Sequence, residues 1–258
     1  NANGGTGGVS YSNDGGSGGG GSGGSIWIDT DAIAGNGIIS ANGGAGGRAN
    51  GGGAGGGGAG GRIAIYATST SNFDFNSSIT VTGGSPGSNY GIAYSGGSGS
   101  KIFVKKNGGS SFNDLYVYNA GSPVIFSSDT TYRNIFAYNS AGIICNSALT
   151  LSGTYGGDGT GSSTILGLAT FGSGAIIASG TMNVLGTTTF GTNFTVGGYG
   201  GTTYFNLGAS STNATSLTIN SGGYFEYQNL SSTSPASLSG LTINSGGTLR
   251  HKANTSVY

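Results

Sequence analysis

Glycine runs stand beside alternating apolar stretches several times in this chain of 258 residues, 59 of which are glycine. The longest glycine-rich run, within 43–61, leads directly into the stretch RIAIY. Glycine loses more backbone entropy on folding than any other residue, so such a run normally indicates a flexible linker. A linker joins two domains once, whereas these runs recur at similar places. A recurring run is typical of a repeating architecture.

The repeat is visible in the phrases GGSIWID, GGRIAIY and GSKIFVK, which place anchor isoleucines at Ile26, Ile63 and Ile102. We therefore expect residues 1–109 to form a Gly-rich β-repeat region. Glycine without side chains forms extended threefold helices of polyproline-II type, and successive runs could pack side by side as polyglycine insertions. A disordered glycine brush is the alternative.

Short apolar alternations with a period of two occur throughout the chain and are rich in Ile, Val, Thr, Tyr and Phe. Gly, Asn and Ser interrupt them, and no window of useful length has the apolar spacing of a helix. This pattern predicts many short strands and an all-β fold.

Repeats in the C-terminal part favour one all-β architecture, the parallel β-helix or β-solenoid. LYVYN at residue 115 recurs as IFAYN at 135, LATFGSG at 168 as TTTFGTN at 187, and SLTINSGG at 216 as GLTINSGG at 240. These offsets suit one coil each, because a coil buries its apolar face only by stacking on its neighbours. We expect residues 110–258 to form coils of about 19–24 residues.

The aligned repeats predict core columns. Leu217 should lie over Leu241, and Ile219 over Ile243, at the spacing of neighbouring strands.

The phrase GIICNSALTLSG from residue 142 aligns with AIIASGTMNVLG from residue 175, at an offset of 33. This alignment places Cys145 opposite Phe126 in the preceding coil and Ala178 in a later one. We interpret Cys145 as a small buried apolar residue rather than a reactive thiol.

Charged residues make up only 6% of the chain and the formal net charge is zero, whereas soluble domains are about a quarter charged. The pair Lys105–Lys106 is too small a basic patch for nucleic acid. No apolar run reaches the roughly 20 residues of a membrane-spanning helix. One cysteine excludes an internal disulfide, and the single histidine gives no zinc spacing. We expect no nucleic-acid partner, no membrane insertion and no cofactor.

Asp29 and Asp31 are the two acidic residues closest to each other, in the phrase IDTDA. Two residues apart on a strand they share one face, so they could meet a calcium ion or a substrate. Asp is also common in the turn chemistry of strand ends, which is the reading we favour.

Tyr116, Tyr118, Phe136 and Tyr138 alternate with the expected inward residues of two coils. They would form an outward aromatic ladder, and such ladders bind sugars or protein surfaces. Burial beneath a loop or the glycine layer is the alternative.

The phrases GGGGSGGSIWI, GIISANGGAGG and GGGGAGGRIAIY resemble those of large, repetitive Gly-rich bacterial surface proteins. The two LTINSGG phrases resemble the L-x-I-x-x-G-G coils of autotransporter passengers and haemagglutinin-like adhesins. The resemblance covers nearly the whole chain. It implies a right-handed parallel β-helix, export to the cell surface, and a role in adhesion or surface structure.

Three functions remain open. The first is an extracellular structural protein whose copies form a fibre through their ends or Gly-rich flank, because no capping helix is expected at either end. The second is a cell-surface adhesin that binds glycans or a host surface through aromatic or Thr-rich faces. The third is a polysaccharide-cleaving enzyme, which eight scattered acidic residues disfavour. We expect no enzymatic activity.

Overall fold

The computed structural model describes residues 1–75, 77–88, 91–107, 113–119, 123–208, 215–227 and 238–251. The regular secondary structure of these residues is β-strand, with no helix. The strands pair in parallel from coil to coil, so the predicted all-β class and β-solenoid are confirmed. The chain divides into two compact units, Asn1–Lys105 with Tyr118–Ser122, and Lys106–Val117 with Pro123–Tyr258.

The first unit contains two sets of parallel strands, in the orders β1-β3-β5 and β2-β4. Their bounds are Ser25–Ala34 for β1, Ile39–Ser40 for β2, Arg62–Ser71 for β3, Ile79–Thr80 for β4 and Ser100–Lys105 for β5. Ile26 pairs with Ile63, as the first repeat predicts, and Ile28 pairs with Ile65. Ile63 and Ile65 are buried, so the alternation of β3 directs its isoleucines into the core.

The repeat aligns the third anchor isoleucine, Ile102, one residue away from its actual register. Ile63 pairs with Lys101 rather than with Ile102. The cause lies in the phrase KIFV, whose apolar residues do not alternate, so more than one register satisfies the pattern. The fold selects the register that buries Phe103 opposite Ile65.

The glycine runs of the first unit form extended passes with the described ranges 2–10, 17–24, 41–49, 53–61, 81–88 and 94–99, here called the glycine passes. In the first of them, the amides of residues 4, 7 and 10 donate to the carbonyl oxygens of residues 42, 45 and 48. A step of three residues between bonds is the period of a polyproline-II-type helix, which has no internal hydrogen bonds and can use its amides between passes. Consecutive passes run antiparallel and alternate passes run parallel.

Side chains have no room where two glycine passes face each other. A Cβ built on Gly58 would overlap the carbonyl oxygen of Gly21, while a Cβ on Gly53 would meet nothing. At Gly56, the carbonyl oxygen of Tyr94 would be 3.6 Å from an added Cβ, which is an ordinary contact. Glycine is therefore required by packing on the inner faces of the passes and not on every face.

The second unit has three walls of parallel strands, ordered β6-β9-β12-β15-β18-β20-β22, β7-β10-β13-β16-β19-β21-β23 and β8-β11-β14-β17. The last residues of β6 are assigned to the first unit. The strand bounds are Asp114–Asn119 (β6), Val124–Phe126 (β7), Thr130–Tyr132 (β8), Asn134–Tyr138 (β9), Gly142–Cys145 (β10), Leu149–Leu151 (β11), Thr154–Gly157 (β12), Ser162–Ile165 (β13), Ala169–Phe171 (β14), Ile176–Ile177 (β15), Gly180–Val184 (β16), Thr188–Phe190 (β17), Phe194–Val196 (β18), Thr203–Leu207 (β19), Thr215–Ile219 (β20), Gly223–Tyr227 (β21), Leu238–Ile243 (β22) and Thr248–His251 (β23).

Columns of apolar side chains from successive coils form the core of the second unit. Leu217 pairs with Leu241 and Ile219 with Ile243, so both predicted pairings are confirmed. One column steps along the first wall with offsets of 20, 22, 19, 23 and 24 residues, through Ile135, Tyr155, Ile177, Val196, Ile219 and Ile243. Phenylalanines of three walls fill the centre with ring centroids 4.8–6.2 Å apart: Phe171, Phe190, Phe194 and Phe205.

Cys145 is buried and pairs with Phe126, as the repeats predict. On its other side it pairs with Ile165, and the predicted alignment with Ala178 is wrong. The offset of 33 matched β10 with β15, which belong to different walls. Both strands contain two consecutive isoleucines soon after a corner, so the phrases look alike although they lie on different sides of the solenoid.

Candidate functional site

Three residues of the predicted aromatic ladder lie on the outer face of β6 and β9 in the second unit. The rings of Tyr116 and Phe136 stack with centroids 5.1 Å apart. Phe136 pairs with Gly156 in the next coil, so the ladder does not continue at that position. Burial raises the pKa of Tyr116 and of Tyr138, and nearby carboxylates raise both further. These half-buried rings are set into the wall, and their role in binding stays a prediction.

The fourth ladder residue, Tyr118, belongs to the first unit and packs among its side chains. Its ring centroid lies 5.3 Å from that of Phe75, and the Lys101 ammonium lies 5.0 Å from its centroid. The same ammonium donates to the carbonyl oxygen of Ile79 at 3.1 Å. Burial lowers the pKa of Lys101, and the Asp74 carboxylate offsets part of this effect. The Tyr118 ring thus packs against the half-buried Lys101 ammonium. Its role in ligand binding stays a prediction.

Asp29 and Asp31 are exposed on the same face of β1, where the alternation places them. Among the described residues, no group of three or more His, Cys, Asp or Glu side chains is arranged to hold a metal ion. The weak calcium prediction at these two positions therefore gains no third ligand from the described residues.

Asp114 is a buried carboxylate at the start of β6 whose hydrogen-bonding capacity is filled. The Arg133 guanidinium donates to both of its oxygens, at 3.0 and 2.6 Å. The Asn134 and Asn107 amides donate at 2.8 and 3.2 Å. An ionised carboxylate offers about four acceptor positions, so this network holds neighbouring coils together and leaves little capacity for a ligand.

A cleft of about 390 Å³ opens at one corner of the second unit and is here called the corner cleft. It results from unequal corner lengths in three successive coils. The corner between β15 and β16 has two residues, while the corners before and after it have four and six. The short corner forms the floor and the longer corners form the walls. The lining residues are Gly157, Asp158, Gly159, Thr160, Ser179, Thr181, Tyr199, Gly200, Gly201, Thr202 and Tyr204.

The first wall of the corner cleft is a rigid turn built around Asp158. One carboxylate oxygen accepts the amide of Asn139 at 2.6 Å, and the other accepts the amide and hydroxyl of Thr160 at 3.0 and 2.6 Å. Burial acts to raise the pKa of Asp158, but these hydrogen bonds outweigh it and lower the pKa. Gly157 has a φ of 139°, which requires glycine, and brings the turn against the previous coil.

The second wall carries the aromatic surface of the corner cleft. Tyr199 is 68% exposed at the tip of the six-residue corner. Tyr204 lies at the mouth on β19, and its ring stacks on Tyr224 of the next coil with centroids 5.0 Å apart. Register places Thr181, Tyr204 and Tyr224 in one outward column on β16, β19 and β21.

Sequence reasoning missed the corner cleft because its residues come from corners about 40 positions apart. The available signal was the pair of glycine-flanked phrases GGDGT and GGYGGT, which lie at the ends of β12 and β18. Recognising the site required knowing that a two-residue corner lies between them.

Comparison with known protein families, curated proteins and solved structures gives no match, so the site is interpreted from its geometry alone. Within the described ranges, no helix has the length and apolar character needed to cross a membrane. The corner cleft has one carboxylate among its lining residues, and that carboxylate accepts hydrogen bonds from Thr160 in its own turn and from Asn139 in the preceding coil. Its arrangement suits binding through aromatic rings and hydroxyl groups.

A second surface of interest is the outer side of the coil formed by β22 and β23. Its core positions are Leu241, Ile243 and Leu249, which are 46%, 47% and 40% exposed. Their register partners in the coil below are Leu217, Ile219 and Phe225, which are 0%, 0% and 4% exposed. We call this row of three side chains the open coil face.

The first strand of the first unit also has an open edge. Among the described strands, β1 pairs with β3 alone. Trp27 is largely exposed, and Ile26 and Ile28 are half-exposed although their partners on β3 are buried. A parallel strand with one free edge presents unpaired backbone N–H and C=O groups that can accept another strand.

Proposed function

We propose that this chain is a structural subunit of an extracellular surface fibre, in which copies stack coil on coil and extend the β-solenoid. The observation that carries the proposal is the open coil face. Leu241, Ile243 and Leu249 have the register of core residues, yet they are 40–47% exposed. The resemblance to Gly-rich surface proteins and haemagglutinin-like adhesins supports the extracellular location.

In this proposal, a second copy of the chain covers the open coil face. Parallel pairing of its β1 with β22 would continue the sheet at the usual strand spacing of about 4.8 Å. It would also place Ile26 and Ile28 over Leu241 and Ile243. The formal net charge is zero, so copies lack the like-charge repulsion that keeps many proteins monomeric.

Sedimentation velocity over a concentration series, with negative-stain micrographs of the same samples, tests this assembly. The wild-type chain should form species larger than the 25.0 kDa monomer, and filaments should be visible. The double variant Leu241→Lys, Ile243→Lys should remain a monomer, because two ammonium groups would be buried without partners. Thr242→Lys is the matched control, since this exposed residue lies between them on the opposite face.

Two results would overturn the fibre proposal. One is a monodisperse wild-type monomer at high concentration with no filaments on the grid. The other is assembly of the double variant at wild-type concentrations, with circular dichroism showing that its coils remain folded.

The second candidate function is that of a cell-surface adhesin that binds glycans. The observation that favours it is the corner cleft, which combines exposed Tyr199 with the Tyr204–Tyr224 stack. The two functions are compatible, because the cleft and the open coil face lie on different strands of the second unit.

A further inference from the structure

We propose that the corner cleft binds an uncharged oligosaccharide, with one pyranose ring held between Tyr199 and Tyr204 and the chain continuing over Tyr224. The inference does not rest on the fibre proposal, since a monomer carries the same cleft. Its volume of about 390 Å³ falls within the range of about 300–1,000 Å³ that small-molecule sites occupy.

The aromatic residues of the cleft suit a sugar ring. A pyranose has an apolar face of C–H groups and a rim of hydroxyls, and tyrosine offers an apolar ring with a polar tip. Tyr204 is supported from behind by its stack on Tyr224, so its ring is held in place before a ligand arrives. A ring held in its binding position loses little entropy on association.

The polar groups of the cleft favour a ligand without charge. The lining residues include no Lys or Arg, and the single carboxylate of Asp158 already accepts three hydrogen bonds from Thr160 and Asn139. What remains is a set of hydroxyls on Thr181 and Thr202, which can both donate and accept, and on Ser179, which donates to the Gly157 carbonyl oxygen at 3.2 Å and can still accept. Such groups match sugar hydroxyls and offer no counter-charge to a uronic acid or a sulfate.

The aromatic column favours a chain over a single sugar. Tyr204 and Tyr224 occupy the same position in consecutive coils, so the edges of their stacked rings form a platform that runs from coil to coil. Past Tyr224, the Arg250 guanidinium lies 5.7 Å from the ring centroid and is paired with Glu226 at 2.6 Å. The charge at that end of the platform is therefore neutralised within the protein.

Isothermal titration calorimetry with defined hexasaccharides tests the proposal. The neutral probes are β-1,4-glucose, α-1,4-glucose, β-1,3-glucose and β-1,4-N-acetylglucosamine hexamers, and the charged probes are a hexagalacturonate and a sulfated heparin hexasaccharide. At least one neutral hexamer should bind with a Kd of 1 mM or tighter, and the charged hexamers should bind at least tenfold more weakly.

The variants locate the binding. Tyr199→Ala and Tyr204→Ala should each weaken the neutral hexamer at least tenfold, while Tyr199→Phe should retain binding within about threefold because the ring remains. Tyr11→Ala is the matched control, since it removes an exposed tyrosine that belongs neither to the corner cleft nor to the predicted aromatic ladder. Tyr199 is exposed, so its replacement should leave the melting temperature unchanged and a loss of affinity is not a folding defect.

Three results would overturn the inference. The first is the absence of heat with every neutral hexamer at millimolar concentration. The second is affinity that survives both alanine variants or disappears with Tyr11→Ala. The third is equal or tighter binding of the charged hexamers.

Discussion

Cys145 lies inside a wall of the second unit between Phe126 and Ile165, where water does not reach its sulfur. Burial raises the pKa of the thiol from 9.0 to about 11. The thiolate is the reactive form of cysteine, so the folded protein holds this side chain in its inert state at neutral pH. The interpretation of Cys145 as a small core residue agrees with this placement.

Two measurements on Cys145 follow. Iodoacetamide at pH 8 should modify Cys145 in the native protein only at the unfolding rate, and should modify it fully in the guanidinium-unfolded protein.

The folded state keeps the thiol proton of Cys145 to higher pH than the unfolded state does. The stability that this provides is complete below about pH 9 and is lost as pH rises through about 11. Across that window the free energy of unfolding should fall by about 2–3 kcal/mol more in the wild type than in Cys145→Ala.

The comparison with Cys145→Ala isolates the thiol, because Tyr155, whose pKa burial also raises, is present in both proteins. Rapid alkylation of the native protein at pH 8 would contradict the buried placement.

Single residues also show where the sequence leaves the strand register ambiguous. Alternation identified Ile63 as a core residue, because RIAIY has a single register that buries both isoleucines. In KIFV three apolar residues are adjacent, and only packing decides that Phe103 faces inward while Lys101 takes the column of Ile63. The sequence pattern therefore does not predict that the Lys101 ammonium is half-buried.

At the scale of elements, the glycine passes act as a core built from backbone. Neighbouring passes approach until an amide meets a carbonyl, which leaves no volume for a Cβ on the inner faces. The sequence indicates that glycine is needed in this region. It does not distinguish Gly58 from Gly56, because the distinction depends on which neighbour each one faces.

Gly58→Ala and Gly53→Ala form a matched pair within one glycine pass. Gly58→Ala should lower the free energy of unfolding by about 1–3 kcal/mol, as overpacking does in a tight core. Gly53→Ala should be neutral or stabilising by about 0.4–1 kcal/mol, because its Cβ meets nothing and the unfolded chain loses freedom. Urea denaturation of both variants measures the difference. Equal effects of the two substitutions would mean that the passes are not packed in solution.

The stacked strands of the second unit have their own matched pair. Ile219 is fully buried between Val196 and Ile243, so Ile219→Asp should destabilise the unit by several kcal/mol through an unpaired buried charge. Thr218 alternates to the outer face, and Thr218→Asp should change stability by less than about 0.5 kcal/mol. Thermal melts followed by circular dichroism test both. An unchanged melting temperature for Ile219→Asp would contradict the assigned core.

At the scale of the whole molecule, the sequence was sufficient for the fold class and insufficient for the site. Repeated phrases such as LTINSGG fix the stacking of Leu217 on Leu241, because identical residues one coil apart must occupy equivalent positions. The corner cleft depends on corner lengths in three coils, which the repeats do not encode. Only the three-dimensional stacking of the coils shows that Tyr199 and Asp158 line the same cleft.

The parallel pairing of the second unit has a mechanical consequence. Hydrogen bonds join each coil to the next along the stacking direction, so a pulling force in that direction loads one inter-coil ladder at a time. Peeling off a coil of 19 to 24 residues would release roughly 60–85 Å of chain before the next coil bears the load. Under tension the unit would thus yield in many small, similar steps. A tether of this kind dissipates work gradually and resists sudden rupture.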